Sequence, residues 1–139
     1  MKKLQQYFPG LLCQITSPET DRYNCIAWAA GDSQHWWEPD IYNICYWPPS
    51  VPRLMTLDAY IKAFETVGYT LCSDGNYQHG FIKIAIFVDA NGIPTHAALL
   101  LPNGKWTSKC GTLEDIEHDL TALCGQWYGN VYCYMKKPA

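Results

Sequence analysis

Residues 81–110 read FIKIAIFVDANGIPTHAALLLPNGKWTSKC, three short apolar runs separated by two turn sequences. The turns are DANG at 89–92 and PNG at 102–104, and an Asn-Gly pair between apolar runs is the strongest short-range signal for a β-hairpin. The pattern therefore predicts an antiparallel meander whose strands span 81–88, 95–101 and 105–110.

Helix signals lie on both sides of this meander. One helix is predicted to begin at Cys25, after an asparagine N-cap, and to end before a glycine. A second is predicted over 56–68 from apolar residues at helical spacing, and a third over 112–124 from a capping-box sequence. Short strands are predicted at 69–72 and 130–135. This order predicts the α+β class with a mostly antiparallel sheet.

The length of 139 residues fits a single domain, and the composition narrows the class of protein. A hydrophobic content of 48% excludes a disordered chain, and a net charge of -3 argues against a nucleic-acid partner. Gln5, Gln6 and Pro9 interrupt the apolar run that a secretion signal needs, and no stretch is long enough to cross a membrane. We expect a cytoplasmic protein with no membrane partner, and export without an N-terminal signal is the open alternative.

Seven cysteines are spread through the chain at irregular spacings, without a CxxC pair. Neither a zinc site nor a thioredoxin-type redox pair is indicated, so no metal and no cofactor are expected. An odd number leaves at least one thiol unpaired. We expect most of the cysteines to be small buried apolar residues in a reducing cell.

Cys25 is the candidate nucleophile, because it is the cysteine predicted at the start of a helix. Unpaired N–H groups and the helix dipole at that position favour a thiolate and lower its pKa. A nucleophile of this kind also needs a base on a neighbouring rigid element. His96 fits that role, since it opens an apolar strand among small residues. His35 and His79 fall in loops, and His118 is predicted to face solvent from the helix at 112–124.

Two short segments carry a resemblance to a known family. YNC at 23–25 and the stretch HAALLL–GKWTS between 96 and 108 resemble the NlpC/P60 branch of the papain-like cysteine hydrolases. Residues 106–111 also resemble sequences of uncharacterised bacterial proteins. The resemblance implies a single papain-like domain over 1–139, with N-terminal helices packed on the sheet.

The same resemblance implies roles for individual residues. Cys25 would supply the thiolate and part of an oxyanion hole through its backbone N–H, and His96 would perform general acid–base work. Tyr23 or Gln14 would add a side-chain donor. A polar third residue would orient the histidine.

The third position has two candidates. Alignment of the turn selects Ser108, whereas a two-residue hairpin at Asn103-Gly104 would place Lys109 on the face of His96, because side chains alternate along a strand. Neither is a usual partner of a catalytic histidine. A Cys–His dyad, an acid from elsewhere in the chain and an inactive site therefore stay open.

The segment 32–53 is rich in proline, tryptophan and tyrosine and is predicted to be a long aromatic loop. Its rings either pack inside the domain or form a surface for a sugar or a peptide. We expect its first part to wall the cleft beside the nucleophile. The residues expected to bind substrate are Tyr23, Asn24, Trp36 and Trp37.

These observations lead to two functional hypotheses. The first is a cysteine hydrolase that cleaves an amide or peptide bond through a thioester on Cys25, with His96 as general acid and base. Its substrate would be a peptide or peptide-like molecule, and bacterial cell-wall peptide is the class that the resemblance suggests. The alternative is an inactive papain-like module that uses the aromatic loop 36–47 to bind a protein partner.

Overall fold

A computed structural model describes the backbone of residues 2–139 and the side chains of residues 3–139. Its main feature is a seven-stranded antiparallel sheet with the strand order β1-β6-β5-β4-β3-β7-β2. The strands are β1 Cys13–Ser17, β2 Thr70–Cys72, β3 Phe81–Val88, β4 Pro94–Leu100, β5 Trp106–Lys109, β6 Asp115–His118 and β7 Asn130–Pro138.

The helices are short. Within the described part of the chain they are α1 Lys2–Tyr7, α2 Cys25–Ala30, α3 Leu57–Glu65 and a 3-10 turn at Leu120–Leu123. The prediction of a papain-like domain, with N-terminal helices packed on the sheet, is therefore wrong. Most of the regular structure is sheet, since six of the seven strands lie after residue 69 and β1 joins them through β6.

The local signals around the meander are confirmed. β3, β4 and β5 follow one another as antiparallel neighbours. The start of α2 is also confirmed, since the side chain of Asn24 accepts a hydrogen bond from the N–H of Ala27 at 3.1 Å and Gly31 follows with φ 88°. Thr56 caps α3 in the same way through the N–H of Ala59.

The predicted helix over 112–124 is wrong. Its first half forms β6, which pairs with β5 on one side and with β1 on the other. Ile116 and His118 are buried on one face of that strand, with Glu117 half-buried between them. The hydrogen bonds of these two ladders outweigh a capping-box signal that is worth little more than one hydrogen bond.

Both faces of the sheet are covered, so the sheet lies between two clusters of buried residues. The α2 face carries Ile84, Ile86 and Ala97 and is covered by α2, α3 and the aromatic loop. The α1 face carries Phe87 and Ala98, among others, and is covered by α1 and the 3-10 turn. Among the helices of residues 2–139, none has the length and apolar character that crossing a bilayer requires.

Candidate functional site

Cys25 lies at the floor of a cleft of about 210 Å³. The cleft is formed by the start of α2, the aromatic loop, the first residues of β4 and the ring of Tyr128. The Cys25 side chain is almost fully buried, with 8% of the residue exposed. All seven cysteines are free thiols, and of these Cys25 and Cys110 are buried.

Burial dominates the electrostatics of this thiol. It raises the pKa of Cys25 to about 11, against the opposing effects of nearby backbone N–H groups, that of Ala97 first, and of the Lys109 ammonium. The prediction that the helix start lowers this pKa is therefore wrong. A six-residue helix in a dry site does not offset the loss of water around a thiolate, so the resting group is a neutral thiol.

Cys25 meets the sheet where two strands separate. β4 and β5 pair at Leu99–Thr107 and Leu100–Trp106, and the ladder ends there. Beyond that end, the backbone N–H of Ala97 lies near the Cys25 sulfur and lowers the pKa of its thiol, against the larger effect of burial. Cys25 thus approaches β4 at the residue directly after His96.

The His96 side chain is directed to the α1 face and is fully buried. Its ring stacks on Tyr128, with centroids 4.1 Å apart and planes 11° apart, and Phe87 meets it edge-on. Nε2 lies 2.9 Å from the Oγ of Ser108. Nδ1 has no hydrogen-bond partner among residues 3–139, so no hydrogen bond joins it to Cys25.

The turn between β4 and β5 decides which third residue accompanies the histidine. It is a three-residue turn with Gly104 at φ 85°, and it pairs Leu100 with Trp106. This register places Ser108 on the α1 face, beside His96, and excludes the arrangement expected from a two-residue hairpin. Lys109 consequently points to the opposite face.

Lys109 occupies the α2 face, next to Cys25, and its residue is fully buried. Its Nζ donates to the carbonyl oxygens of Thr20, at 2.7 Å, and of Gly111. It also lies 5.4 Å from the centroid of the Tyr23 ring. Burial lowers the pKa of Lys109, and the charge of Asp115 opposes that shift.

Two of the expected donors have other positions. The Tyr23 hydroxyl donates to Oδ2 of Asp115 at 2.5 Å, and Tyr23 is absent from the cleft lining. Gln14 is exposed on β1, three strands away from β4. Neither residue is placed to donate to an oxyanion at Cys25.

Asn24, Trp36 and Trp37 do line the cleft. The Asn24 side chain accepts the N–H of Trp37 at 3.1 Å and donates to its carbonyl at 2.8 Å, so it holds the aromatic loop against the start of α2. Trp37 is buried, and its Nε1 donates to Asp32. Trp36 is half-buried and is the more accessible ring.

Residues 14–136 match the model of a family described as a domain of unknown function, DUF7689. The chain belongs to this family. No curated protein and no solved structure matches the chain. The DUF7689 match includes Cys25, His96, Ser108 and every strand from β2 to β6, whereas α1 lies outside it.

Sequence reasoning missed two residues of this DUF7689 site, His118 and Tyr128. The sequence predicts His118 on the solvent-facing side of a helix, whereas it is buried in β6 and hydrogen-bonded to Ser108. The alternation of Asp115 to His118 was the available signal. Tyr128 precedes a glycine in a segment without periodicity, and no sequence pattern marks it. Within residues 3–139 no cluster of three or more metal-ligating side chains occurs.

Proposed function

We propose that the chain is a cysteine hydrolase that cleaves an amide or peptide bond through a thioester on Cys25, with His96 as general acid and base. One observation carries the proposal. The Cys25 thiol lies in a cleft near the N–H of Ala97, and the preceding residue of β4, His96, carries on the α1 face a buried Nδ1 without a partner among the described residues. An orphaned buried acceptor costs about 1–3 kcal/mol, so a site of this kind calls for a function.

The raised pKa of Cys25 selects general-base catalysis over a preformed ion pair. As the sulfur attacks the carbonyl carbon, the thiol proton passes to Nδ1 of His96 and the carbonyl π electrons move to oxygen. The Ala97 N–H would donate to that oxyanion. When the intermediate collapses, the C–N bond breaks and the imidazolium returns its proton to the departing amine. Water, deprotonated by His96, then hydrolyses the thioester and restores the thiol.

The cleft supports a short peptide as substrate. Its volume of about 210 Å³ is below the range of about 300–1,000 Å³ typical of pockets for drug-sized ligands. Trp36, Tyr60 and Met55 give it apolar walls, and Glu38 contributes a carboxylate. A site of this size accommodates one or two residues around the scissile bond. The free state of all seven cysteines supports action in a reducing compartment such as the cytoplasm.

Alkylation by iodoacetamide between pH 6 and 10, followed by peptide mapping, tests this proposal. We expect Cys25 to react at least tenfold faster than Cys110, whose pKa burial raises to about 12. His96→Gln should lower the Cys25 rate at neutral pH by at least tenfold, because a positioned base contributes about 10²–10⁴-fold in catalysis.

The exposed His79→Gln is the matched control and should leave the Cys25 rate unchanged. If His96→Gln and His79→Gln alkylate Cys25 at the same rate, His96 does not act on the thiol and the hydrolase proposal is refuted.

A second candidate function, recognition of a protein partner by the aromatic loop, has its own observation. Both oxygens of the Asp40 carboxylate accept backbone N–H groups, from Ile44 at 2.8 Å and Cys45 at 2.9 Å, and Arg53 donates to Asp40. In the turn that these hydrogen bonds hold, the side chains of Ile41 and Ile44 lie in solvent, and each residue is 81% exposed. A rigid turn that presents apolar side chains to solvent loses little entropy on binding.

Selection from a displayed peptide library tests the second candidate. We expect selected peptides to lose at least tenfold in affinity for the Ile41→Ser/Ile44→Ser double variant, because two buried apolar contacts are removed. Cys25→Ser should retain the affinity. If the selected peptides bind Ile41→Ser/Ile44→Ser as tightly as Cys25→Ser, the loop is not the recognition surface.

A further inference from the structure

Three side chains from adjacent strands form a buried hydrogen-bonded chain on the α1 face. The Ser108 Oγ lies 2.9 Å from Nε2 of His96 and 2.7 Å from Nε2 of His118. The Nδ1 of His118 lies 2.6 Å from the carbonyl oxygen of Asp119. His96 and Ser108 are fully buried and His118 is 2% exposed, so the chain is shielded from bulk water.

The direction of each hydrogen bond can be worked out from the Asp119 carbonyl, where the chain of hydrogen bonds ends. A carbonyl oxygen can only accept, so Nδ1 of His118 carries a proton. Burial lowers the pKa of His118, so the ring is neutral and its Nε2 is an acceptor. Ser108 must then donate its hydroxyl proton to that nitrogen.

The same reasoning continues to His96. Because its own proton goes to His118, the Ser108 oxygen accepts from Nε2–H of His96. Burial lowers the pKa of His96 well below its ordinary value, so this ring also carries one proton. Its Nδ1 is therefore left with a free lone pair, and this is the atom without a partner among residues 3–139.

Packing holds the His96 ring in this orientation. Tyr128 stacks on one face of the imidazole, and Phe87 contacts it at 78° to the ring plane. A rotation of 180° about the Cβ–Cγ bond would replace Nε2 by a carbon at Ser108 and lose the hydrogen bond. The relay and the aromatic contacts thus specify one ring orientation.

We propose that Ser108, His118 and the Asp119 carbonyl form a positioning relay that holds His96 as the Nε2–H tautomer and keeps its Nδ1 as the base for Cys25. The role of Nδ1 as a base rests on the proposed function. The tautomer of His96 is inferred from the hydrogen bonds and does not depend on that function. Ser108 and His118 are positioning residues, because they act on Cys25 through His96.

Two-bond ¹H–¹⁵N correlation spectra of the histidine rings test the relay without a substrate. We expect an unprotonated Nδ1 and a protonated Nε2 for His96, and the reverse for His118. Signals are assigned by their loss in His96→Gln and His118→Gln. A wild-type His96 that is protonated on Nδ1 would overturn the proposal.

Matched variants separate the relay from simple packing. Ser108→Thr keeps the hydroxyl and should keep the His96 tautomer, whereas Ser108→Ala should release Nε2 and give a mixture of tautomers. His118→Gln places an acceptor oxygen near the position of Nε2, whereas His118→Asn keeps only a donor near Nδ1. We expect His96 to keep the Nε2–H tautomer in His118→Gln and to lose it in His118→Asn. An unchanged His96 spectrum in Ser108→Ala or His118→Asn would overturn the relay.

The alkylation rate of Cys25 then links the relay to the proposed function. Folded Ser108→Ala should react at least tenfold more slowly than the wild type, and Ser108→Thr within threefold of it. If the tautomer changes in Ser108→Ala while the Cys25 rate does not, the assignment of Nδ1 as the base for Cys25 is wrong. If neither changes, the relay itself is wrong, so the two failures are distinguishable.

Discussion

Gly129→Ala is expected to lower the free energy of unfolding by about 3–5 kcal/mol. Gly129 has φ 71°, and an added Cβ would lie 2.0 Å from the carbonyl oxygen of Val88. The left-handed backbone alone costs about 1–2 kcal/mol for a residue with a side chain. Because the clash is with backbone, relief requires β3 or the 125–129 turn to move. Thermal unfolding should show a fall of about 10 °C or more in the melting temperature.

Gly92→Ala is the matched control for this substitution. Gly92 has φ 77°, but an added Cβ meets nothing within 4 Å, so only the backbone term of about 1–2 kcal/mol applies. If Gly129→Ala and Gly92→Ala lower the free energy of unfolding by the same amount, the contact with Val88 does not determine the cost. Gly129→Ala should also slow alkylation of Cys25, since the neighbouring Tyr128 stacks on His96 and accepts a hydrogen bond from Thr95 through its carbonyl.

Lys109→Met is expected to cost about 3 kcal/mol, because it removes a buried charge from three partners. The carbonyl oxygens of Thr20 and Gly111 lose their donor, and the buried Asp115 loses the positive charge nearby. The pKa of Cys25 should rise further, since the Lys109 ammonium lowers it in the native protein. Urea unfolding and the pH profile of Cys25 alkylation measure the two effects.

Lys105→Met provides the comparison within the same hairpin. Lys105 pairs with Asp119 at 2.8 Å, with both side chains substantially exposed, so its loss should cost far less stability than the loss of Lys109. The double variant Lys109→Met/Asp115→Asn should recover part of the stability lost in the single variant. A single variant as stable as Lys105→Met would mean that the buried ammonium makes no net contribution.

Short-range patterns predicted the parts of the site that depend on neighbouring residues. The start of α2 at Cys25 follows from Asn24 and Gly31, which satisfy the ends of the helix locally. The position of His96 in the meander follows from the two turn sequences. The sequence leaves two candidates for the residue beside His96, Ser108 and Lys109. A turn that is longer by one residue moves every side chain of the next strand to the opposite face of the sheet.

Long-range pairing decided the rest. β6 forms because residues 115–118 pair with β1, about a hundred positions earlier in the chain, and no local pattern contains that partner. The ladder with β5 on the other side of β6 brings His118 to Ser108. The pKa of Cys25 also depends on residues that are distant in the chain, because Lys109 and Ala97 approach Cys25 only after the sheet has formed.

The amino-acid sequence by itself therefore determined where a cysteine begins a helix, where a histidine enters a strand, and that the intervening turns make an antiparallel meander. Local hydrogen bonding and side-chain alternation suffice for these features. Only the tertiary structure decided the seven-stranded sheet, the faces to which Cys25 and His96 belong, and the burial that keeps both groups neutral. These features depend on which distant strands become neighbours and on how much water that packing removes.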